Sequence, residues 1–246
     1  MKKSNLVEML LVLFFTLPVA TSSLNAATVG PLDLSSFTVN QYDTNIQPSN
    51  AVWTLGAGNT SVTQKTNNEP SFFLGGFESA NTIIDVDFRV DSTDDDLIGF
   101  VWGYQDFGDF YNLEWRRDSN PNITDKLRFN ISSTGSADPF ATWPTTTFST
   151  QVLSETGWDN RVDYHLHLIF TPGSMAFDIT QDATLIHSAS INDTTYTSGK
   201  FGFYTQSQDG VTFSNLMITA VPIPPAIWLF GSGLIGLIGI AKRRKS

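Results

Sequence analysis

Residues 97–117 limit the fold more than any other stretch. Leu97-Ile98-Gly99-Phe100-Val101-Trp102-Gly103-Tyr104-Gln105 is apolar without helical spacing and reads as a strand buried on both faces. Asp106-Phe107-Gly108-Asp109 is a short turn with a glycine, so the next run should pair back as a hairpin. In that run Tyr111, Leu113 and Trp115 share one face, while Phe110, Asn112, Glu114 and Arg116 take the other, which is expected to be wet. A buried hairpin of this kind needs a second sheet packed on it.

The rest of the chain supplies that sheet. Short alternating runs recur at 32–39, 51–55, 61–65, 71–74, 82–90, 126–132, 162–170, 175–179, 184–191, 200–206 and 211–219, divided by Pro, Gly, Asn and Asp clusters. This spacing indicates a β-sandwich rather than βαβ units. Ile84, Val86, Phe88 and Val90 should face in, as should Val162, Tyr164, Leu166, Leu168 and Phe170. Residues 133–157 read as a long loop with one strand around 145–152. The last two runs read as a hairpin around Gln208-Asp209-Gly210, because Asp-Gly is a strong turn signal. At least two of Trp102, Tyr104, Tyr111 and Trp115 should be largely buried. The fold class expected is all-β, of the jelly-roll type.

Both ends differ from this middle. Met1-Lys2-Lys3, the apolar run Leu6 to Ala20 and the small residues at Ala26-Ala27 have the layout of a signal peptide over residues 1–27. The domain is then expected over residues 28–220. After it come Val221-Pro222-Ile223-Pro224-Pro225, the apolar run from Ala226 to Ala241, and Lys242-Arg243-Arg244-Lys245. Sixteen helical residues span ~24 Å against a hydrocarbon core of ~30 Å, so this is a short transmembrane helix. The four basic residues would act as a stop that keeps that end in the cytoplasm.

Charge narrows the function. The net charge is −10, of which the leader contributes +1 and the tail +4, so the middle carries −15. A nucleic-acid partner, which needs a basic footprint, is excluded on this balance. Asp94-Asp95-Asp96 is the best candidate metal site, since calcium takes six to eight oxygens and adjacent carboxylates on a loop offer several. Asp91, Asp106 and Asp109 are weaker candidates. His165 and His167 share a strand face, and an HxH pair can hold zinc only with further ligands. A solvent-facing or groove-lining pair is the expectation. Catalysis is not expected. Sugar hydrolysis needs two facing carboxylates, and Glu114 has no acidic residue two positions away on its strand. A glycan-active hydrolase on the same scaffold is the alternative reading.

Two resemblances add to this. The three aspartates, Leu97-Ile98, Gly99-Phe100, Trp102-Gly103-Tyr104-Gln105, Phe110-Tyr111 and Trp115-Arg116 resemble the C-terminal domain of thrombospondins. So do Gly157-Trp158, Ser198-Gly199-Lys200-Phe201-Gly202-Phe203-Tyr204 and Val211-Thr212-Phe213-Ser214-Asn215-Leu216. The resemblance covers roughly residues 50–219. It implies a calcium-binding jelly roll related to the legume-type lectins, with an adhesive or glycan-binding role. The tail over 221–246 resembles the bacterial PEP-CTERM sorting signal, with Val221, Pro222, Pro224 and Pro225 as its motif and Ile223 where that family usually has Glu. Such a tail implies an exosortase-type partner, an inner-membrane-anchored precursor, and a mature form at the cell surface or in the exopolysaccharide matrix.

Overall fold

The computed structural model describes residues 30–42, 50–119, 122–135, 137–141 and 148–221. The expected signal peptide and the tail beyond Val221 lie outside the described residues. Among those described, no helix is long and apolar enough to cross a membrane.

Fourteen strands are described. They are β1 (Thr38–Gln41), β2 (Trp53–Leu55), β3 (Ser61–Gln64), β4 (Ser71–Ser79), β5 (Thr82–Val90), β6 (Leu97–Asp106) and β7 (Asp109–Arg116), followed by β8 (Leu127–Ser133), β9 (Ser149–Ser154), β10 (Asp163–Thr171), β11 (Ser174–Gln181), β12 (Thr184–Ile191), β13 (Gly199–Gln206) and β14 (Val211–Ala220). One sheet has the order β1-β4-β13-β6-β7-β8-β9 and the other β12-β11-β10-β5-β14-β3-β2. Every strand pair is antiparallel.

Alternation decides which side chains meet between the sheets. Val86, Phe88, Leu166 and Leu168 from one sheet and Phe100, Trp102, Leu113 and Trp115 from the other are all buried in a single cluster. Phe203 and Phe213 stack across the gap, with ring centres 4.4 Å apart. Trp102, Tyr104, Tyr111 and Trp115 are all buried, as expected for at least two. Gly103 sits where the β6 pairing slips, in the left-handed region at φ 59°. Gly199 packs against it so closely that a Cβ there would lie 2.3 Å from the Gly103 carbonyl carbon. A side chain at either position is incompatible with this bulge.

Two expectations are corrected. First, the outer face of β7 is not wet. Phe110, Asn112 and Glu114 are 0%, 0% and 1% exposed. Loops fold over this face and carry Tyr42, Phe107, Phe140 and Phe148 onto Phe72, Phe110 and Tyr204, forming a second core. Tyr42 stacks on Phe107 at 4.1 Å and donates its hydroxyl hydrogen to the Phe107 carbonyl at 2.8 Å. Second, β13 and β14 do not form a hairpin. β13 lies between β4 and β6, whereas β14 lies between β5 and β3 in the other sheet. The turn at 207–210 carries the chain across the sandwich. Ser207 N–H donates to Asn68 O, and Asp91 N–H donates to Gly210 O, which pins the crossing to two neighbouring loops. The strand anticipated around 145–152 is β9, an edge strand on β8.

Candidate functional site

One end of the sandwich gathers the acidic loops. The β5–β6 loop presents Asp94, Asp95 and Asp96, with one carboxylate oxygen of each lying within 4.8 Å of the others. The sequence holds this loop open in a defined way. Asp94 N–H donates to Ser92 Oγ at 3.1 Å, and Asp96 N–H donates to Gln208 Oε1 at 2.9 Å. Gln208 is fully buried in the crossing turn, so it fixes the run against the opposite sheet. Asn67 donates to Asp94 Oδ2 at 2.7 Å, Ser119 to Asp95 Oδ2 at 2.5 Å, and Arg116 to Asp96 Oδ1 at 3.5 Å. Three other loops thus converge on the run, together with the end of β7.

Its electrostatics are unfavourable without a cation. Burial pushes the Asp96 carboxyl up to about 6; Arg116 opposes the rise, and Asp94 and Asp95 add to it. Burial also raises Asp94, and the charges of Asp209 and Asp95 raise it further. Asp209 is the residue that sequence reading missed. It comes from the crossing turn, and its Oδ1 is buried with no hydrogen-bond partner. Three carboxylate oxygens gathered within 4.8 Å fit a hard divalent cation, which uses oxygen ligands. The donor set therefore suits calcium, with Asp94, Asp95 and Asp96 as the residues that would hold it.

The weaker candidates fall elsewhere. Asp91 accepts from Arg89 at 2.7 Å. Asp106 and Asp109 lie at the far end of β6, where they accept from Gly108 and Gly135 N–H and shape the turn. Among the motif residues of the tail, only Val221 is described, with its N–H donating to Asn81 O at 2.8 Å.

His165 and His167 face solvent from β10, opposite Asp87 and Asp85 on β5. Hydrogen bonding to Asp85, and then to Asp87, raises the His165 imidazole from 6.5 to about 9. A raised imidazole contributes stability that is fully present below pH 6.5 and is lost as pH rises through about 9. In chelator, the melting temperature should therefore fall over that window, and Asp85→Asn should flatten the fall. A profile identical in wild type and Asp85→Asn would remove this ion pair from the account.

Two antiparallel seven-stranded sheets with an aspartate-lined loop end define a sandwich of the lectin-like jelly-roll class. The chain belongs to the family of the thrombospondin C-terminal region, whose model matches residues 48–137 and 141–221. It is 28% identical to thrombospondin-2 of Gallus gallus over 187 residues, covering 67% of this chain and 16% of that protein. It is 27% identical to thrombospondin-3b of Danio rerio over 199 residues, covering 71% of this chain and 21% of that protein. The chain thus spans about a fifth or less of these curated relatives. Among solved structures, the Ca2+-bound exoplasmic/lumenal domain of VIP36 superposes with a TM-score of 0.51 at 9% identity, covering 76% of this chain and 84% of that one. A functionally unknown protein from Saccharomyces cerevisiae gives 0.50 at 15% identity, covering 78% and 100%. These two likenesses concern the fold.

Proposed function

We propose that the chain is an exported, calcium-binding, lectin-like adhesion module that does no catalysis. The observation that carries this reading is the convergence of one carboxylate oxygen from each of Asp94, Asp95 and Asp96 within 4.8 Å, on a loop pinned by the buried Gln208. Calcium bound there would neutralise carboxylates that repel one another on a loop that Gln208 ties to the crossing turn. A loop end held rigid in this way suits recognition of neutral, hydroxyl-rich glycans, and the acidic middle of the chain disfavours phosphate polymers. The family membership and the likeness in fold to a Ca2+-bound lumenal domain support the same reading. The non-enzymatic part rests on Glu114. It is the glutamate of the central hairpin, yet it is buried and paired with Arg128 at 2.8 Å.

The test is a thermal melt and a glycan array, each with calcium and with chelator. At a hundredfold excess over Kd, calcium should stabilise the fold by about 2.7 kcal/mol. Joint replacement of Asp94, Asp95 and Asp96 by Asn should abolish the gain, and Asp209→Asn alone should weaken it. Melts that do not respond to calcium would overturn the metal reading. Array signals indifferent to chelator would separate glycan binding from it.

The proposal extends to delivery. A stiff proline motif, an apolar run and a basic stop follow the last strand in the order of a sorting signal, so an exosortase-type enzyme is the proposed processing partner. Mass spectrometry of the mature protein should find a C-terminus near Val221–Pro225. An intact end at Ser246 in the surface-associated form would mean that the tail is an anchor and nothing more.

A further inference from the structure

The solvent face of the β12-to-β2 sheet holds a groove of about 520 Å³ that the calcium reading leaves unused. Ligand sites commonly enclose about 300–1,000 Å³. β5, β10 and β14 supply its floor, and the β11–β12 turn closes one side. Alternation sets the lining. Phe88 and Tyr164 turn their rings into the inter-sheet core, so Asp87, Arg89, Asp163 and His165 turn outward. The groove starts beside the acidic end of the sandwich, because Asp91 lines it and donates its N–H to Gly210 O in the crossing turn.

Its polar groups are ordered before any ligand arrives. Arg89 donates from Nε to Asp91 Oδ1 at 2.7 Å and from Nη1 to both Asp163 oxygens at 3.3 Å. Asp87 Oδ1 lies 2.7 Å from His165 Nδ1, and Asp87 Oδ2 accepts from Asn215 Nδ2 at 2.8 Å. Side chains held in this way lose little freedom when a ligand binds. The pairing leaves acceptors over. A carboxylate offers about four lone-pair sites, and the Asp87, Asp91 and Asp163 side chains are 46%, 57% and 75% exposed. Four carboxylates, with Asp182 as the fourth, face only the Arg89 and His165 cations, so the groove repels anions. The two aromatic residues in its lining keep their rings in the core, so it recognises by hydrogen bonding and not by ring stacking. The backbone is irregular on both sides. Asn215 lies at φ 55°, where the β14 register slips, and Asp182 and Ala183 make the two-residue β11–β12 turn at φ 46° and 62°. Alanine in the left-handed region carries strain that glycine would not, and such strain clusters at ligand sites.

We propose that this groove binds a stretch of a neutral, hydroxyl-rich saccharide chain, with Asp87, Asp163 and Arg89 as its hydrogen-bonding residues. The inference rests on the reading of the chain as a glycan-binding module, and it places the contact on the sheet face beside the calcium loop. Sugar hydroxyls donate to the two carboxylates, and the guanidinium donates to hydroxyl or ring oxygens. A uronate-bearing chain would set its own carboxylates against Asp87 and Asp163, which costs affinity.

The experiment titrates the purified full-length chain, in calcium-containing buffer, with three sets of tetrasaccharides. The neutral set is built from glucose, galactose, mannose and N-acetylglucosamine; tetragalacturonate is the anionic probe and the glucosamine tetramer the cationic one. At least one neutral probe should bind, and at least tenfold more tightly than tetragalacturonate. Asp163→Asn, Arg89→Gln and Ser214→Tyr should each weaken it at least tenfold. Ser214 pairs with Asp87 on the outward face of β14, so the tyrosine fills the groove without changing its charge. The rise in melting temperature on adding calcium should be the same in all three variants as in wild type, which shows that they fold and keep the metal loop. Neutral-sugar binding that survives in all three variants would overturn the groove and leave the glycan-binding reading standing. A wild-type chain that binds no probe would overturn both. Binding confined to the cationic tetramer, or a preference for the anionic one, would show charge attraction alone and overturn the proposal.

Discussion

Replacing Trp115 by alanine should destabilise the domain by about 3–5 kcal/mol, the cost of emptying a buried indole site. The ring is 2% exposed. It packs edge-on against Tyr164 at 4.9 Å and His187 at 5.2 Å, with Phe88 at 6.1 Å. Its Nε1–H donates to Thr156 O at 3.0 Å, so the truncation also strands a carbonyl in the loop before β10. Collapse into the space is hindered because these three rings stand on strands of the opposite sheet. Urea unfolding should show the loss as a lower midpoint with little change in slope. A loss under about 1 kcal/mol, the scale of a surface change, would contradict the buried assignment.

Glu114→Ala should be nearly as costly, for an electrostatic reason. Glu114 is 1% exposed and accepts from Arg128 at 2.8 Å and from the buried Tyr204 hydroxyl at 3.0 Å. Its carboxylate is the leading cause of the raised Arg128 guanidinium. Removing it leaves a cation in the second core with a buried Nε that already lacks a partner. Breaking a buried pair costs about 3–5 kcal/mol in general. Arg128 keeps Asp125 at 3.1 Å and is 21% exposed, so the low end, about 3 kcal/mol, is expected. Arg128→Met should rescue part of the loss in the double variant. Strict additivity of the two changes would argue against the pairing.

The parts that could be read from sequence are those that alternation encodes. In β5, β7 and β10 every second residue is apolar, and those residues form the inter-sheet core. The aspartate run was legible because three like charges in sequence ask for a reason. What escaped depends on chain segments that meet only after folding. The polar face of β7 looks solvated until Tyr42, Phe107, Phe140 and Phe148 are brought over it from three other places in the chain. Asn112 and Glu114 are therefore buried polar groups whose sequence context predicts exposure. Asp209 was hidden by a degenerate signal. Asp-Gly serves a hairpin and a crossing turn equally, and nothing local says which sheet the next strand joins. The HxH pair was visible, but its carboxylate partners sit about eighty residues earlier on β5.

The interleaving of the last two strands bears on when this protein can fold. β13 fills the gap between β4 and β6, and β14 fills the gap between β5 and β3. Until residues 199–220 have been synthesised, each sheet is missing a central member, and β3, β4, β5 and β6 each lack a neighbour. The pairings that close them join residues more than a hundred positions apart, such as Phe203 with Phe73 and Phe213 with Phe88. Loop closure over such distances is slow, on the order of milliseconds to seconds for β-rich domains. Neither sheet can therefore be completed before the last two strands emerge. The Asp94–Asp96 run meets Gln208 only at the last step, so calcium would recognise the finished domain and not its intermediates.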